Sequence, residues 1–317
     1  MDSIYSQVGV STTCRVRQRF PVPVICLGGI HICRSGGLSE KVELCVDQVK
    51  KMAKRKITKI EASKSKARNR DTLWLNMLKV NHIIDFMNET TRSFLGIVRL
   101  CSGETESAVH GEFSINSMPY PGVDSYKEIR KRIRNGENLP TLKDRNDKDH
   151  YQAHLKLSSN FPFDEKNYRK WNVVKLTQKY LCYIFHLLRN EKTNNKGILL
   201  HCISGWDRTP LWIGILRILL WAEGLIHQSL DSDQILYLVI AYDWMLFGHQ
   251  LCKRLKESSE IMYFSFWVLQ FLLPRKYTLN FTQEAPEEAV PTSLKNSQKI
   301  RQRSRSEEAT NSEQTEP

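Results

Sequence analysis

An apolar run that ends in His-Cys and continues into a short polar loop decides the fold of this chain. It reads Ile198-Leu199-Leu200-His201-Cys202-Ile203-Ser204-Gly205-Trp206-Asp207-Arg208-Thr209-Pro210. A second apolar segment follows, so the pattern predicts a strand, a loop and the N-terminus of a helix. Thr209 is a suitable cap and Pro210 fits a first turn, so we expect the helix to run from Pro210 to Glu223 and to stop at Gly224. Gly205 lets the backbone bend inside the loop.

This predicted loop suits an anion. The loop amides and the positive end of the helix dipole converge on one point. Arg208 lies six residues after Cys202 and can offer a planar fork to two phosphate oxygens. A free cysteine titrates near about 8.5, but in this field we expect Cys202 to be a thiolate, which is a nucleophile for phosphoryl transfer. The alternative is a buried cysteine at the end of a strand, which leaves the spacing of Gly205, Arg208 and Thr209 unexplained.

The pattern His-Cys-x5-Arg-Thr at 201–209 resembles the signature of the cysteine-dependent phosphatases. That resemblance implies an α/β fold, in which a sheet is flanked by helices and the Cys-x5-Arg phosphate loop lies between a strand and a helix. The loop interior, Gly205 to Thr209, resembles the myotubularins, the 3-phosphoinositide phosphatases, whose loop reads Cys-Ser-Asp-Gly-Trp-Asp-Arg-Thr. Ile203 and Ser204 replace the Ser-Asp of the family, as in a divergent branch of it.

The likeness to that branch extends to both sides of the loop. It is specific over Trp171 to Phe271 and weaker over Arg19 to Ser125. The segments that carry it are Leu211-Trp212, Leu219 to His227, Ile235 to Leu238, Ala241 to His249, His31 to Ser35 and Pro119 to Gly122. The resemblance implies removal of the 3-phosphate of phosphatidylinositol 3-phosphate and phosphatidylinositol 3,5-bisphosphate, with no metal and no cofactor.

Each residue of the motif has an expected role. Cys202 attacks phosphorus and forms a phosphocysteine, while Arg208 and the loop amides stabilise the charge on the equatorial oxygens. Thr209 donates its hydroxyl to the thiolate, and His201 orients the loop. The expected substrate-binding residues are Ile203, Ser204, Gly205, Trp206, Asp207 and Arg208. Trp206 either shapes the rim of the pocket or packs beneath the loop.

The leaving inositol oxygen needs a proton, and two carboxylates are candidates for the acid. Asp207 is the first, and the myotubularin resemblance implies the same, because that family places its presumed acid inside the loop. Asp164, in Asn160 to Asp164, would lie on a mobile loop like that of the tyrosine phosphatases. The alternative for Asp207 is a solvated or arginine-paired carboxylate.

Two other functions stay open on the residues alone. One is a phosphotyrosine protein phosphatase, although the Trp-Pro-Asp triplet of that class is absent. The other is a non-catalytic phosphoinositide-binding adaptor that keeps the loop but has lost turnover. The intact Cys202, Asp207 and Arg208 argue against the adaptor.

Composition limits the setting in which the chain works. The 317 residues carry a formal net charge of +13, which suits anionic partners such as phosphoinositide membranes. None of the eight cysteines forms a C-x-x-C pair, so zinc spacing is absent. The start lacks a signal peptide and no apolar run reaches about 18 residues. We therefore expect a cytoplasmic protein that touches internal membranes peripherally.

Four regions are expected along the chain. They are an N-terminal strand region at 1–38, a basic connector at 39–70, the catalytic domain at 71–281 and a disordered tail at 282–317. The basic stretch is either a patch for acidic lipid headgroups or a solvated connector, and its lack of aromatic residues argues against nucleic acid. Because few residues precede Arg19, we expect no N-terminal lipid-binding domain like that of the ordinary myotubularins. Membrane targeting is then left to the catalytic domain, the basic stretch or a partner.

Periodicity predicts the remaining elements. We expect a hairpin at 19–33 that turns at Gly28-Gly29, and a helix capped by Asp231 or Ser232. His31 and Cys33 are interpreted as strand residues and His249 as a packed helix residue, rather than as metal ligands. The other expected elements are a helix and a strand within 71–86, strands at 94–100 and 113–118, and helices at 126–134, 171–189, 233–255 and 262–272.

Overall fold

The computed structural model describes residues 15–38, 68–88, 91–94, 97–100, 112–141, 153–159, 161, 166–191, 195–246, 256 and 259–273. Asp164, His249, the predicted tail and all but the last three residues of the basic stretch lie outside them.

A five-stranded sheet with one antiparallel edge forms the centre of the fold. The predicted hairpin is confirmed: β1 (Val22–Leu27) pairs antiparallel with β2 (Ile30–Gly36). The other three strands are β3 (Val80–Asp85), β6 (Ser114–Ser117) and β7 (Gly197–Cys202). The remaining pairs are parallel, and the strand order is β1-β2-β7-β3-β6. The early hairpin therefore shares one sheet with strands from the later chain.

Strand β7 is the middle of this sheet, and all six of its residues are buried. A parallel strand covered on both faces is expected to be continuously apolar, as the run that precedes His201 is. Ile198 and Leu200 belong to the larger core on one face, together with Cys202. Leu199 belongs to a smaller core on the other face.

One predicted strand was wrong in its extent. The structure places two short antiparallel strands, β4 (Thr91–Phe94) and β5 (Ile97–Leu100), where a single strand over 94–100 was expected. Gly96 interrupts the apolar run, and a glycine favours the end of a strand over its interior.

Helices cover both faces of the sheet. Helix α1 spans 68–77, and α2 (Ser125–Asn135) ends at Gly136, which has the left-handed φ of 67° of a helix C-cap. The predicted long helix after residue 171 is confirmed as α3 (Val173–Glu191). The later helices are α4 (Arg208–Ala222), α5 (Ser232–Leu238), a π-helix (Val239–Leu246), α6 (Ser259–Trp267) and α7 (Leu269–Leu272).

Two of these helices differ from the prediction. Asp231 caps α5 through a capping box with Gln234, as expected, but α5 gives way to the π-helix at Val239 instead of continuing as one α-helix. The closing helix is divided at Val268 into α6 and α7. Hydrophobic periodicity alone does not report such changes of helical pitch.

Aromatic packing holds α4 against the sheet. Trp212 of α4 is fully buried and stacks on Phe86, with ring centroids 4.8 Å apart and planes 4° apart. Tyr120 meets Trp212 edge-on at 5.0 Å. Phe86 and Tyr120 follow β3 and β6, so this cluster fixes the start of α4 over the carboxyl ends of the parallel strands.

Candidate active site

Cys202 is the last residue of β7 and is only 3% exposed. In register, it lies beside Gly36 of β2, and His201 lies beside Asp85 of β3. The carboxyl ends of three parallel strands thus meet around the cysteine. Ligand sites of open α/β sheets lie at this edge, outside the strand ends.

Thr209 contacts the cysteine directly. Its hydroxyl donates a hydrogen bond to Sγ of Cys202 over 3.3 Å. The helix begins at Arg208 and not at Pro210, so the expectation that Thr209 caps it was wrong, whereas Pro210 lies in the first turn as expected. The physical reason is that a threonine hydroxyl can bind the backbone at a cap or a nearby acceptor, and here the sulfur is the acceptor. The C-terminal stop is confirmed, because Gly224 follows the helix with φ of 69°.

Gly205 makes the bend of the loop possible. Its φ is 65°, and a Cβ at this position would lie 2.5 Å from the carbonyl oxygen of Ser35. Both the left-handed backbone and the close approach to β2 exclude a side chain without a shift of the loop. The expectation that a glycine turns the chain here is confirmed.

Arg208, the last residue of the motif's Cys-x5-Arg spacing, is buried, with 5% exposure. Its Nη1 donates to the carbonyl oxygens of Phe86, at 3.0 Å, and Tyr120, at 3.2 Å. The sequence did not predict these contacts, since they join segments more than eighty residues apart. They fix one edge of the guanidinium and leave its orientation little freedom.

His201 is fully buried beside β3. Its Nδ1 lies 3.3 Å from the carbonyl oxygen of Cys202 and 3.7 Å from Oδ1 of Asp85. Because a carbonyl oxygen only accepts, this contact requires the proton on Nδ1. Phe86 donates its backbone N–H to the His201 carbonyl over 3.0 Å. The imidazole and the backbone of His201 are therefore both tied to the strand end.

The remaining loop residues, Ile203, Ser204, Trp206 and Asp207, are half-buried. Asp207 occupies the N-cap position of α4 without a side-chain cap hydrogen bond. The guanidinium of Arg17 lies 4.9 Å from the ring centroid of Trp206.

A glycine pair at the end of β2, Gly36 and Gly37, supports the loop. Gly37 donates its N–H to the carbonyl oxygens of Cys202 and Ile203, at 2.9 and 3.0 Å. A Cβ on Gly37 would lie 3.2 Å from the Cys202 oxygen, and one on Gly36 would lie 2.7 Å from the Val16 oxygen. Sequence reasoning missed this pair, although two glycines at the end of a strand are a signal of close backbone approach.

Arg34 of β2 is a second buried guanidinium behind the loop, with 2% exposure. Its Nη2 donates to the carbonyl oxygen of Gly205 over 3.1 Å, and its Nη1 donates to that of Asp243 over 2.5 Å. Burial lowers the pKa of Arg34 to about 10, which the charge of Asp243 opposes, so it remains a cation at neutral pH. An arginine directly after the apolar residues Ile32 and Cys33 was the available signal, and sequence reasoning missed it.

Asp243 of the π-helix links Arg34 to a further buried ion pair. Its carboxylate accepts from Nε and Nη2 of Arg217 at 2.8 and 2.9 Å, a bidentate geometry. Nη2 of Arg217 also donates to the carbonyl oxygen of Val24, and Nη1 lies 2.8 Å from Nε2 of His227. Burial first and the Arg217 charge second lower the pKa of His227, so its neutral ring accepts this hydrogen bond.

Two of the residues considered as metal ligands, His31 and Cys33, lie in β2. Cys33 is fully buried in the smaller core, where burial raises the pKa of its thiol to about 12. His31 is half-buried, with Nδ1 3.4 Å from the carbonyl oxygen of Leu78. Across the described ranges, no group of three or more His, Cys, Asp or Glu side chains could hold a metal ion.

Comparison with known proteins gives two kinds of similarity. No model of a known protein family matches the chain. Over 297 residues the chain is 35% identical to the human phosphatidylinositol-3,5-bisphosphate 3-phosphatase MTMR14, a match that covers 86% of this chain and 45% of that protein. Its mouse counterpart is 34% identical over 293 residues, covering 85% and 44%. The chain thus spans less than half the length of these relatives.

Shorter matches and solved structures add weaker likeness. The Saccharomyces cerevisiae phosphoinositide 3-phosphatase is 31% identical over 83 residues, covering 26% of this chain and 11% of that protein. A crystal structure of P. aeruginosa TpbA has a TM-score of 0.31 and 13% identity, covering 65% of this chain and 80% of that chain. A PTP-like phytase from Bdellovibrio bacteriovorus has a TM-score of 0.31 and 11% identity, covering 67% and 79%.

Proposed function

The chain belongs to the myotubularin-related family, in the branch of MTMR14, and we propose that it removes the 3-phosphate from phosphatidylinositol 3-phosphate and phosphatidylinositol 3,5-bisphosphate. One observation supports this proposal most strongly. A buried thiol, a hydroxyl that donates to it and an arginine at a helix start meet at the carboxyl edge of the sheet. These are the parts that phosphate-ester hydrolysis by a cysteine needs.

In the first step, Sγ of Cys202 attacks the phosphorus of the 3-phosphate. An S–P bond forms while the bond between phosphorus and the inositol oxygen breaks, and that oxygen takes a proton from Asp207. In the second step, water gives a proton to the Asp207 carboxylate as its oxygen attacks phosphorus, the S–P bond breaks, inorganic phosphate leaves and the Cys202 thiolate returns. The hydrogen bond from Thr209 stabilises the Cys202 thiolate before it attacks in the first step. It stabilises the same thiolate again when the sulfur leaves phosphorus in the second step.

Arg208 and the loop amides hold the equatorial oxygens of the transferring phosphoryl group. The two carbonyl contacts of Nη1 position the guanidinium before substrate arrives, so little ordering is left for the reaction itself. His201 is a positioning residue in this scheme, because its ring and backbone fix the strand end next to Cys202. The loop from Ile203 to Arg208 forms the substrate cradle, and the chemistry uses no metal or cofactor.

We place the protein in the cytoplasm, in peripheral contact with phosphoinositide headgroups on internal membranes. No helix within the described ranges is long and apolar enough to cross a membrane. The basic stretch at 39–70 is proposed to add attraction to anionic lipid next to a catalytic domain at 71–281, to which the β1–β2 hairpin contributes strands. Nucleic acid forms no part of this proposal.

The test is phosphate release from a panel of short-chain phosphoinositides and a phosphotyrosine peptide. We expect turnover of the two 3-phosphorylated lipids named above, and its loss in Cys202→Ser, because a serine hydroxyl is far less ionised than a thiol. Circular dichroism should show the same fold for both proteins. A higher kcat/KM for the phosphopeptide would support the protein-phosphatase alternative. Binding of the lipids without release by the wild type would support the adaptor.

A further inference from the structure

A short N-terminal segment, residues 15–19, crosses the edge of the candidate loop. We call it the arginine strap, because Arg15, Arg17 and Arg19 alternate along it and it contains no acidic residue. No sequence pattern connects it with a loop that begins more than 180 residues later. In the structure it contacts that loop through two of its three arginines.

The strap is firmly attached at its base. Arg15 is 2% exposed, and its guanidinium binds the carboxylate of Asp71 in α1 through Nε and Nη2. Its Nη1 also donates to the carbonyl oxygen of Gly36 over 3.2 Å. Backbone hydrogen bonds join Val16 to the Gly37 carbonyl and Gly36 to the Arg19 carbonyl, each over 2.9 Å. The backbone of the strap is therefore part of the sheet edge.

The other two arginines reach the loop. Nη1 of Arg19 donates to the carbonyl oxygen of Ser204 over 2.5 Å. The guanidinium of Arg17 lies 4.9 Å from the ring centroid of Trp206. Ser204 and Trp206 flank Gly205 in the middle of the substrate cradle. A positively charged rim is thus built onto the loop that is proposed to receive phosphate.

Arg17 differs from Arg15 in having no acidic partner. It is exposed, and among the described residues no carboxylate lies within ion-pair distance of it and none accepts a hydrogen bond from it. Its φ of 54° and the φ of 56° at Gln18 are left-handed values that side chains larger than glycine rarely adopt. Such conformations cluster where a site needs a side chain held in place. A guanidinium on an indole face keeps its N–H donors available to an anion.

We propose that Arg17, supported by Arg19, binds a second phosphate on the headgroup whose 3-phosphate enters the loop. The inference rests on the proposed function and adds to it the residue that sets preference among substrates. The ligand is a phosphate anion on the same inositol ring, either the 5-phosphate monoester or the phosphodiester that links the lipid. A monoester dianion suits two guanidinium groups better than a monoanionic diester, so the 5-phosphate is the expected occupant.

The experiment compares wild type, R17Q and a matched control, R134Q, on three soluble substrates. Arg134 is an exposed arginine at the far end of α2. The substrates are short-chain phosphatidylinositol 3,5-bisphosphate, short-chain phosphatidylinositol 3-phosphate and an aryl phosphate, which carries no second phosphate. In R17Q the kcat/KM ratio of the bisphosphate to the monophosphate should fall about tenfold, through KM, because one charge-assisted contact is lost. R134Q should keep the wild-type ratio.

Other outcomes assign or overturn the subsite. Equal losses on both lipids, with a much smaller loss on the aryl phosphate, would assign the subsite to the phosphodiester. An equal loss on all three substrates would mean that Arg17 only shapes the loop, and an unchanged ratio with unchanged rates would mean that it binds nothing. Either result overturns the proposal.

The proposed function can fail separately. If the wild type hydrolyses the aryl phosphate but neither lipid, the proposed lipid phosphatase function is wrong. The subsite is then judged by the inhibition of aryl phosphate hydrolysis by inositol 1,3,5-trisphosphate. R17Q should weaken this inhibition about tenfold, and equal inhibition of R17Q and wild type would overturn the subsite.

Discussion

The sulfur of Cys202 has a hydroxyl donor, a helix start and a buried arginine around it, and each comes from a residue within seven positions of it. Such a short segment can supply most of the proposed phosphate site, because the N-terminus of a helix offers backbone N–H groups to an anion. What the segment does not contain is the support beneath it. That support comes from Arg34, Gly37 and the strap, which are distant in sequence.

Asp207→Asn decides which carboxylate is the acid. If Asp207 protonates the leaving oxygen, hydrolysis of a phosphoinositide should slow roughly 10²–10⁴-fold, the usual range for general acid catalysis. An aryl phosphate has a better leaving group, so its rate should fall much less. The measurement is a pair of initial rates for each variant, one per substrate.

The matched variant for this test is Asp164→Asn. It should change neither rate if Asp164 is a surface carboxylate. The opposite result, a leaving-group-dependent loss in Asp164→Asn and none in Asp207→Asn, would place the acid on the preceding loop. The mechanism would then be that of a tyrosine phosphatase.

The turn between β7 and α4 depends on Gly205 for its left-handed backbone and for its close approach to Ser35. Alanine substitutions at Gly205 and Gly224 separate these two effects. Gly205→Ala adds a left-handed alanine and a Cβ 2.5 Å from the Ser35 carbonyl oxygen. Gly224→Ala adds only the left-handed alanine, because nothing lies within 4 Å of the added atom. We expect Gly224→Ala to lower the free energy of unfolding by about 1 kcal/mol. Gly205→Ala should lower it further and also abolish most turnover.

Urea unfolding and steady-state rates on purified proteins check both expectations. Equal stabilities for the two variants would show that the loop absorbs the Ser35 contact by moving. Wild-type turnover in Gly205→Ala would contradict the role given to the loop geometry.

The strand–loop–helix unit could be predicted because its signals are local: an apolar run, a glycine and a motif of fixed spacing. The contacts at the edges of this unit could not be predicted. Thr209 has two possible acceptors, and its choice of the Cys202 sulfur depends on how close the strand end lies. The pitch change at Val239 and the buried pair of Asp243 with Arg217 are likewise not reported by periodicity. Contacts such as that of Arg19 with Ser204 need the finished sheet.

A buried polar network joins distant parts of the molecule behind the loop. Arg34, Asp243 and Arg217 connect both strands of the hairpin, the loop, α4 and the π-helix. Removal of one member of a buried, hydrogen-bonded ion pair leaves an uncompensated charge. The network therefore links the position of the Gly205 carbonyl to the packing of α4 and the π-helix.

His227 gives this network a dependence on pH. Because the pKa of His227 is lowered in the folded state, the unfolded chain binds more protons below its ordinary value of about 6.5. Stability is then fully present above that pH and falls as the pH decreases through it. His227→Asn removes the titrating group, and asparagine tolerates the left-handed φ of 51°. The variant should lose less stability than the wild type between about pH 7 and pH 5.5.

Denaturant unfolding at several pH values measures this difference. Parallel pH profiles for the two proteins would contradict it. His186, whose pKa burial also lowers, is present in both proteins and cancels in the comparison.

Strand β7 leaves the ribosome after both of its neighbours in the sheet, β2 and β3. Before β7 is synthesised, β2 and β3 lack the strand that pairs with both of them, so backbone N–H and C=O groups along each have no partner in the sheet. Such edges invite pairing with other chains, and parallel strands far apart in sequence close slowly. Newly made chains should therefore need protection from a chaperone until β7 has been synthesised. Strand β7 also carries Cys202, so the sheet and the loop are completed in the same folding event.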